Sequence, residues 1–241
     1  YKRLFITEKR IRHGIKFLAE HNTTLNHYQR IYGIPKEIVV AILGVETNYG
    51  DTQGDFNALE ALSTLAFYYV PRSTFFKSEL VALVDYAWKN KIDLHDVHSS
   101  YAGALGICQF MPSNVGLYAK SANNKPIDIF HKPHDAIASV NNYLLRHGNW
   151  LADQPILEPI RLTKAQWQHV NKHYPNKTNI PLTSKLRSVL NLKKRRYPAQ
   201  ALIISKEYRN PYALVAFPNF ASILSYNNST NYARSVYDLA Q

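Results

Sequence analysis

One glutamate, Glu46, has the sequence setting of a general acid. It follows Val39, Ile42 and Leu43 at helical spacing, on or beside an apolar stripe. It also falls in the last turn of that helix, where the macrodipole disfavours a carboxylate. Partial burial acts in the same direction, so both effects are expected to raise its pKa. A carboxylic acid held protonated near neutral pH is what proton donation to a leaving oxygen requires. The competing reading is a glutamate at the edge of the stripe that leans into water, and position alone does not separate the two. A second stretch, residues 99–112, reads SSYAGALGICQFMP. Its small residues Ala102, Gly103, Ala104 and Gly106 let backbone approach another element or a ligand closely. Gln109 adds an amide among apolar neighbours; a buried amide needs partners, and a sugar N-acetyl group would serve. Close packing of elements explains the same small residues equally well.

Other chemistry is weakly signalled. His95 with His98, and His131 with His134, could bring nitrogens together near Asp93, Asp96 and Asp135. They lie in polar loops without an HExxH pattern, so no metal site and no cofactor is expected. The 17 tyrosines offer flat faces for carbohydrate, but tyrosine is also an ordinary rim and core residue. Neither a Gly-rich phosphate loop nor a GxSxG elbow occurs. Cys108 is the one cysteine, which excludes an internal disulfide.

The elements that must position these residues are mostly helical. Thr7 is suited to cap a helix carrying Ile11, Ile15, Phe17 and Leu18, and the pattern continues over 27–32. Pro35 reads as the first residue of the Glu46 helix, with Gly50 just past its end. Helical spacing recurs over 58–66, 75–89, 134–145 and 232–239. After Trp150 prolines punctuate the chain, short helices are expected at 164–173 and 184–191, and 201–205 and 212–217 favour β structure, paired across an Asn210-Pro211 turn. The expected fold is mainly α (α+β), with a helical core over 1–154, a small mixed α/β lobe over 155–217, and helices over 218–241 returning to the core.

At 241 residues and 46% apolar content the chain can bury a real core. No run approaches eighteen apolar residues, so no membrane span is expected. The chain begins at Tyr1 without Met or leader, as expected where upstream targeting residues have been removed. The net charge of +12 is concentrated: 12 of the 29 Lys and Arg fall in 161–209, against one acid, Glu207. Such a lobe faces an anionic polymer or surface, or is a solvated face that aids solubility. Its densest run is Lys193, Lys194, Arg195 and Arg196. No nucleic-acid motif accompanies it, and nucleic acid is not expected as a partner.

Several blocks in register carry a family resemblance: GVETNYG at 44–50, ALEALSTLAF at 58–67, SYAGA at 100–104, QFMPS at 109–113, DAIASVNNY at 135–143 and LSYNNSTNYA at 224–233. Together they resemble the membrane-bound lytic murein transglycosylase B family, over most of the chain apart from the basic lobe. The resemblance implies a lysozyme-like core and cleavage of the β-1,4 bond between N-acetylmuramic acid and N-acetylglucosamine in peptidoglycan. It implies no water in the reaction: the muramic C6 hydroxyl attacks its own C1 and leaves a 1,6-anhydro end. A water-admitting muramidase and a non-catalytic peptidoglycan-binding protein are the alternatives. Glu46 matches the catalytic acid. Ser100 matches a serine near the reacting sugar, Gln109 and Asn227 match amides that orient the N-acetyl group, and Tyr143, Tyr226 and Tyr232 match aromatic residues lining the groove. Tyr1 falls in register with a further such tyrosine.

Departures are as informative. Arg72 retains one of two adjacent arginines suited to muropeptide carboxylates, Pro71 takes the other position, and Phe75 stands where a tyrosine is usual. The family often carries an EF-hand-like calcium loop after QFMPS. Here that stretch is 121–132, with Lys125 and Lys132 in carboxylate positions and Pro126 at the turn glycine, so no calcium is expected. The implied partner is the peptidoglycan glycan strand and the implied location the periplasm. Any outer-membrane tether would lie upstream of this chain, and cell-wall enzyme partners are left open.

Overall fold

The computed structural model describes residues 2–192, 199–205 and 212–241, so Tyr1 and the basic run at 193–196 lie outside the described residues. The chain divides into two compact units, Tyr1–Arg146 with Ser235–Gln241, and His147–Arg234. The second unit contains 155–217 together with 147–154 and 218–234, and the chain rejoins the first unit at Ser235.

In the first unit the chain runs through α1 (Lys2–Phe5), α2 (Glu8–Glu20), α3 (Asn22–Tyr32), α4 (Lys36–Thr47), β1 (Phe56–Asn57), α5 (Ala58–Tyr68), α6 (Ser73–Asn90), β2 (His98–Ser99), α7 (Pro112–Tyr118) and α8 (Pro133–Arg146). Thr7 caps α2 as expected, its hydroxyl accepting the Arg10 N–H at 3.2 Å. The buried face of α2 differs from the expected stripe: it runs through Gly14 and Phe17, while Ile11 and Ile15 stay exposed. On that face the Tyr49 ring lies where side chains at Gly14 and Gly44 would otherwise stand; a Cβ on either glycine would come within 2.5–2.6 Å of it. The Tyr49 hydroxyl donates to the Arg10 carbonyl at 3.0 Å, and burial pushes its pKa up to about 12. Pro35 is the residue before α4 rather than its first residue, because its ψ of 128° is extended.

α4 is the core of the unit: Ile38 through Val45 are all buried. A helix covered on every side carries no solvent face, which is why Val39, Ile42 and Val45 are joined by Val40, Ala41, Leu43 and Gly44. The two-residue ribbon β1–β2 pairs Phe56 with Ser99 and Asn57 with His98.

The second unit contains β3 (Leu157–Arg161), α9 (Lys164–His173), β4 (Asn179–Pro181), α10 (Ser184–Val189), β5 (Ala201–Ser205), β6 (Tyr212–Ala216), α11 (Pro218–Tyr226) and the first half of α12 (Thr230–Leu239). The four strands form an antiparallel sheet in the order β3-β6-β5-β4. The expected pairing of β5 with β6 is present, Ala201 opposite Ala216 through Ser205 opposite Tyr212, while its connection falls outside the described residues. Pro159 and Pro181 sit in β3 and β4, the two edge strands, where a missing N–H breaks no inner ladder. Leu202, Ile204, Ala213 and Val215 alternate along the central strands and pack with Val170 and Leu186 from the helices and with Leu190 just past the end of α10. Thr163 and Gln166 close a capping box on α9. The chain is therefore mainly helical with one small antiparallel sheet in the accessory part, as the sequence pattern predicts.

Candidate active site

The last turn of α4 delivers Glu46 at the rim of the core, half-buried between the buried Val45 and Thr47. The helix stops there because Asn48 adopts a left-handed conformation, φ 52° and ψ 47°, with its N–H on the Gly44 carbonyl and the Tyr49 N–H on Leu43. Thr47 fastens this end to the neighbouring loop. Its hydroxyl donates to the Ile107 carbonyl at 3.0 Å and accepts the Gly50 N–H at 3.0 Å. Cys108 is buried beneath the same end, and burial first, then the charge of Glu46, push its thiol pKa up. That cysteine is a packing group rather than a nucleophile.

Residues 99–110 wrap into a compact double turn. Ser99 bridges Leu105, and Leu105 bridges Phe110. Ser100 begins the first turn: its N–H reaches the Ala104 carbonyl at 2.9 Å and its Oγ accepts the Ala104 N–H at 3.1 Å. Gly54 makes the close approach, φ 98°, where a Cβ would lie 2.3 Å from the Ser99 carbonyl oxygen. Gln109 is half-buried, and its amide donates to the carbonyls of Gln53 and Gly106, both at 3.0 Å. Those two bonds fix which way the amide faces and leave its oxygen as an oriented acceptor. Thus Thr47, Gly54 and Gln53 from the α4 end hold Ile107, Ser99 and Gln109 from the double turn, and the elements carrying Glu46, Ser100 and Gln109 are bound together within one unit.

Other nominated residues have different settings. Arg72 and Phe75 pair at the start of α6, the guanidinium 4.3 Å from the ring centroid, both exposed. Tyr143 is buried to 4% exposure, its ring against Phe110 at 5.4 Å and Tyr118 at 5.1 Å. These ring contacts back Phe110 of the QFMPS segment. Tyr226, Asn227 and Tyr232 belong to the second unit. There the two tyrosine rings lie nearly parallel, 8° apart with centroids at 6.5 Å, and Asn227 ends α11, exposed. Tyr232 is itself 2% exposed, so of this stacked pair Tyr226 is the more open.

Asp51 is committed elsewhere, accepting the Asn48 amide at 2.7 Å and lying 3.6 Å from the His13 ring. Two residues were not singled out by sequence reasoning. Gln53 carries the carbonyl that orients Gln109. Glu79, buried on α6, takes the Ser113 N–H at 2.9 Å and its hydroxyl at 2.7 Å, clamping the end of QFMPS. A signal for Glu79 existed: it stands in register with Phe76, Leu83 and Ala87 on the buried face of α6.

The loop after QFMPS closes with its own groups. Asp135, 1% exposed, accepts the Ala122 N–H at 2.8 Å and the Asp128 N–H at 3.0 Å. Asn123 takes the Lys125 N–H, and the Lys132 ammonium donates to the Pro126 carbonyl at 3.4 Å. A hard divalent cation needs clustered anionic oxygens; here the carboxylates hold backbone amides and an ammonium occupies a carbonyl, so the donor set does not fit calcium. Millimolar calcium is expected to leave the melting temperature unchanged, within about 1 °C; a calcium-dependent rise would show a competent site. Among the described residues no group of three or more His, Cys, Asp and Glu is placed to hold a metal; His134 bonds Thr24 at 2.7 Å.

A family model described as the transglycosylase SLT domain matches residues 1–241. Membrane-bound lytic murein transglycosylase B of Escherichia coli K12 is 32% identical over 244 residues, an alignment covering 100% of this chain and 66% of that protein. The chain thus spans about two thirds of the length of this curated relative. Among solved structures, soluble lytic transglycosylase SltB1 from Pseudomonas aeruginosa superposes with a TM-score of 0.88 at 33% identity, covering 100% of this chain and 80% of that one. SltB3 from the same organism, in complex with NAG-NAM-pentapeptide, gives a TM-score of 0.83 at 30% identity, covering 100% and 65%. The fold shared with these structures is the lysozyme-like helical fold.

Proposed function

This chain belongs to the transglycosylase SLT domain family, and we propose that it cleaves the MurNAc-β-1,4-GlcNAc bond of peptidoglycan without water, with Glu46 as sole acid and base. The supporting observation is the 3.0 Å bond from Thr47 to Ile107, which fastens the Glu46 helix end to the double turn of Ser100 and Gln109. Glu46 donates its proton to the glycosidic oxygen as the bond to C1 breaks. The C6 hydroxyl of the same muramic residue then forms the new bond to C1, and its proton returns to the Glu46 carboxylate. The products are a 1,6-anhydro end and a free C4 hydroxyl, with no water consumed.

That sequence explains why one carboxylate suffices. Ordinary glycosidases use two, the second activating water or forming a covalent adduct. Here the nucleophile is carried by the substrate, so its effective concentration is already high. Ser100 and the oriented oxygen of Gln109, both in the first unit, hold the sugar and its N-acetyl group; Asn227, in the second unit, is a further amide suited to an N-acetyl group. Tyr226 and Tyr232 form an aromatic pair that Tyr226 presents to the glycan, Tyr143 supports Phe110, and Arg72 with Phe75 meets muropeptide carboxylates and rings. The reaction belongs to the periplasm, where its substrate lies; no helix among the described residues is long and apolar enough to cross a membrane.

Digestion of purified sacculi followed by product analysis tests the reading. Anhydromuramic ends are expected; reducing-end muramic acid alone would establish a muramidase, and glycan binding without turnover a non-catalytic binding protein.

A further inference from the structure

Next to the candidate site, within the first unit, lies a cavity of about 430 Å³ that no role assigned above accounts for. Pockets of roughly 300–1,000 Å³ hold small organic ligands. Ile92, Val97 and Ile127 give it an apolar lining, and Asp96 and Asp128 give it negative charge. Asp128 stays ionised: burial alone would raise its carboxyl, but the amides of His131 and Phe130, at 2.9 and 3.0 Å, and the His131 ring outweigh it and the net shift is downward. Asp96 has no ion-pair partner among the described residues.

Two links join this cavity to the elements that carry Ser100 and Gln109. His98 lines it, and Ser100 follows two residues on in the same extended segment; the buried Ser99 between them points the other way. Gln53 also lines it, while its backbone carbonyl holds the Gln109 amide at 3.0 Å. The Gln53 side-chain nitrogen donates to Phe130 at 2.8 Å, but its Oε1 is buried with no hydrogen-bond partner among the described residues.

We propose that this cavity is a subsite for the stem peptide of peptidoglycan, with the ammonium of a diamino-acid residue at Asp96 and Asp128. The aliphatic part of that residue lies against Ile92, Val97 and Ile127. Sugar hydroxyls also donate to carboxylates, but an ammonium on an apolar stem matches both the charge of Asp96 and Asp128 and the apolar lining. The proposal rests on the peptidoglycan reading and adds which part of the polymer is recognised beyond the sugars. It makes turnover sensitive to whether a strand still bears its peptides.

The test compares KM on strands that carry stem peptides with KM on the same strands stripped by an amidase, for the unaltered protein, Asp96→Asn and Asp96→Lys. The ratio of peptide-bearing to stripped KM is expected to rise about threefold for Asp96→Asn and about tenfold for Asp96→Lys. A soluble stem tripeptide titrated into the unaltered protein by calorimetry is expected to bind, and to bind more weakly to Asp96→Lys. An unchanged ratio, an equal rise on both substrates, or no tripeptide binding would overturn the subsite. If the unaltered protein turns over neither substrate, the transglycosylase reading fails instead, and the tripeptide titration decides the subsite on its own.

Discussion

Glu46→Gln is expected to reduce turnover of peptidoglycan by about 10³-fold or more, with the melting temperature within about 1 °C of the unaltered protein. Glutamine keeps the shape and the hydrogen-bonding oxygen but has no proton to give at accessible pH. The size of the effect follows from the absence of a second acid in the scheme. Where two carboxylates share the work, losing one leaves partial catalysis by the other; here the same group protonates the leaving oxygen and takes back the C6 hydroxyl proton. Asp51 is no substitute, because it is engaged by Asn48 at 2.7 Å and lies past the helix end. Stability is spared because Glu46 is half-buried at a rim and its neighbours Val45 and Thr47 supply the packing. Release of soluble muropeptides measures the first half, and a thermal melt the second. Retention of more than a tenth of the activity would remove Glu46 from the mechanism.

The elements that carry the candidate site are largely legible in the sequence, and each feature that is not has its own physical cause. The Glu46 helix was readable because an unbroken apolar run that ends near a glycine admits few structures. Ser100 and Gln109 were readable as chemistry only through the family blocks; small residues alone fit packing as well as binding. The ribbon β1–β2 was not readable, since two-residue strands show no period, yet it positions Ser100. Tyr49 lies in a recognisable block, but its partner Gly14 is 35 positions away, and such a contact leaves no local trace. Glu79 could have been found, as a charge on an otherwise apolar face of α6 must have a dedicated partner. In the accessory part, β5 and β6 declared themselves by β-favouring residues, whereas Pro159 and Pro181 disguised the two edge strands.

The second large effect concerns a residue that touches no substrate. Gly54→Ala is expected to destabilise the protein by about 3 kcal/mol, combining the left-handed backbone penalty with overpacking. For a chain of this size that lowers the melting temperature by about 6–12 °C. Gly54 has φ 98°, and the new methyl would fall 2.3 Å from the Ser99 carbonyl oxygen and 2.6 Å from the Ser100 nitrogen. These are backbone atoms of the double turn, so no side-chain rotation relieves the clash. The chain must separate the α4 end from Ser100, which lowers kcat even at temperatures where the variant remains folded. Gly116→Ala provides the contrast. Gly116 lies within α7, and a methyl there would meet nothing within 4 Å, so alanine is expected to stabilise by about 0.5–1 kcal/mol through helix propensity, with activity unchanged. Equal melting temperatures for the two variants would mean that the backbone contact between Gly54 and Ser99 does not hold the site together.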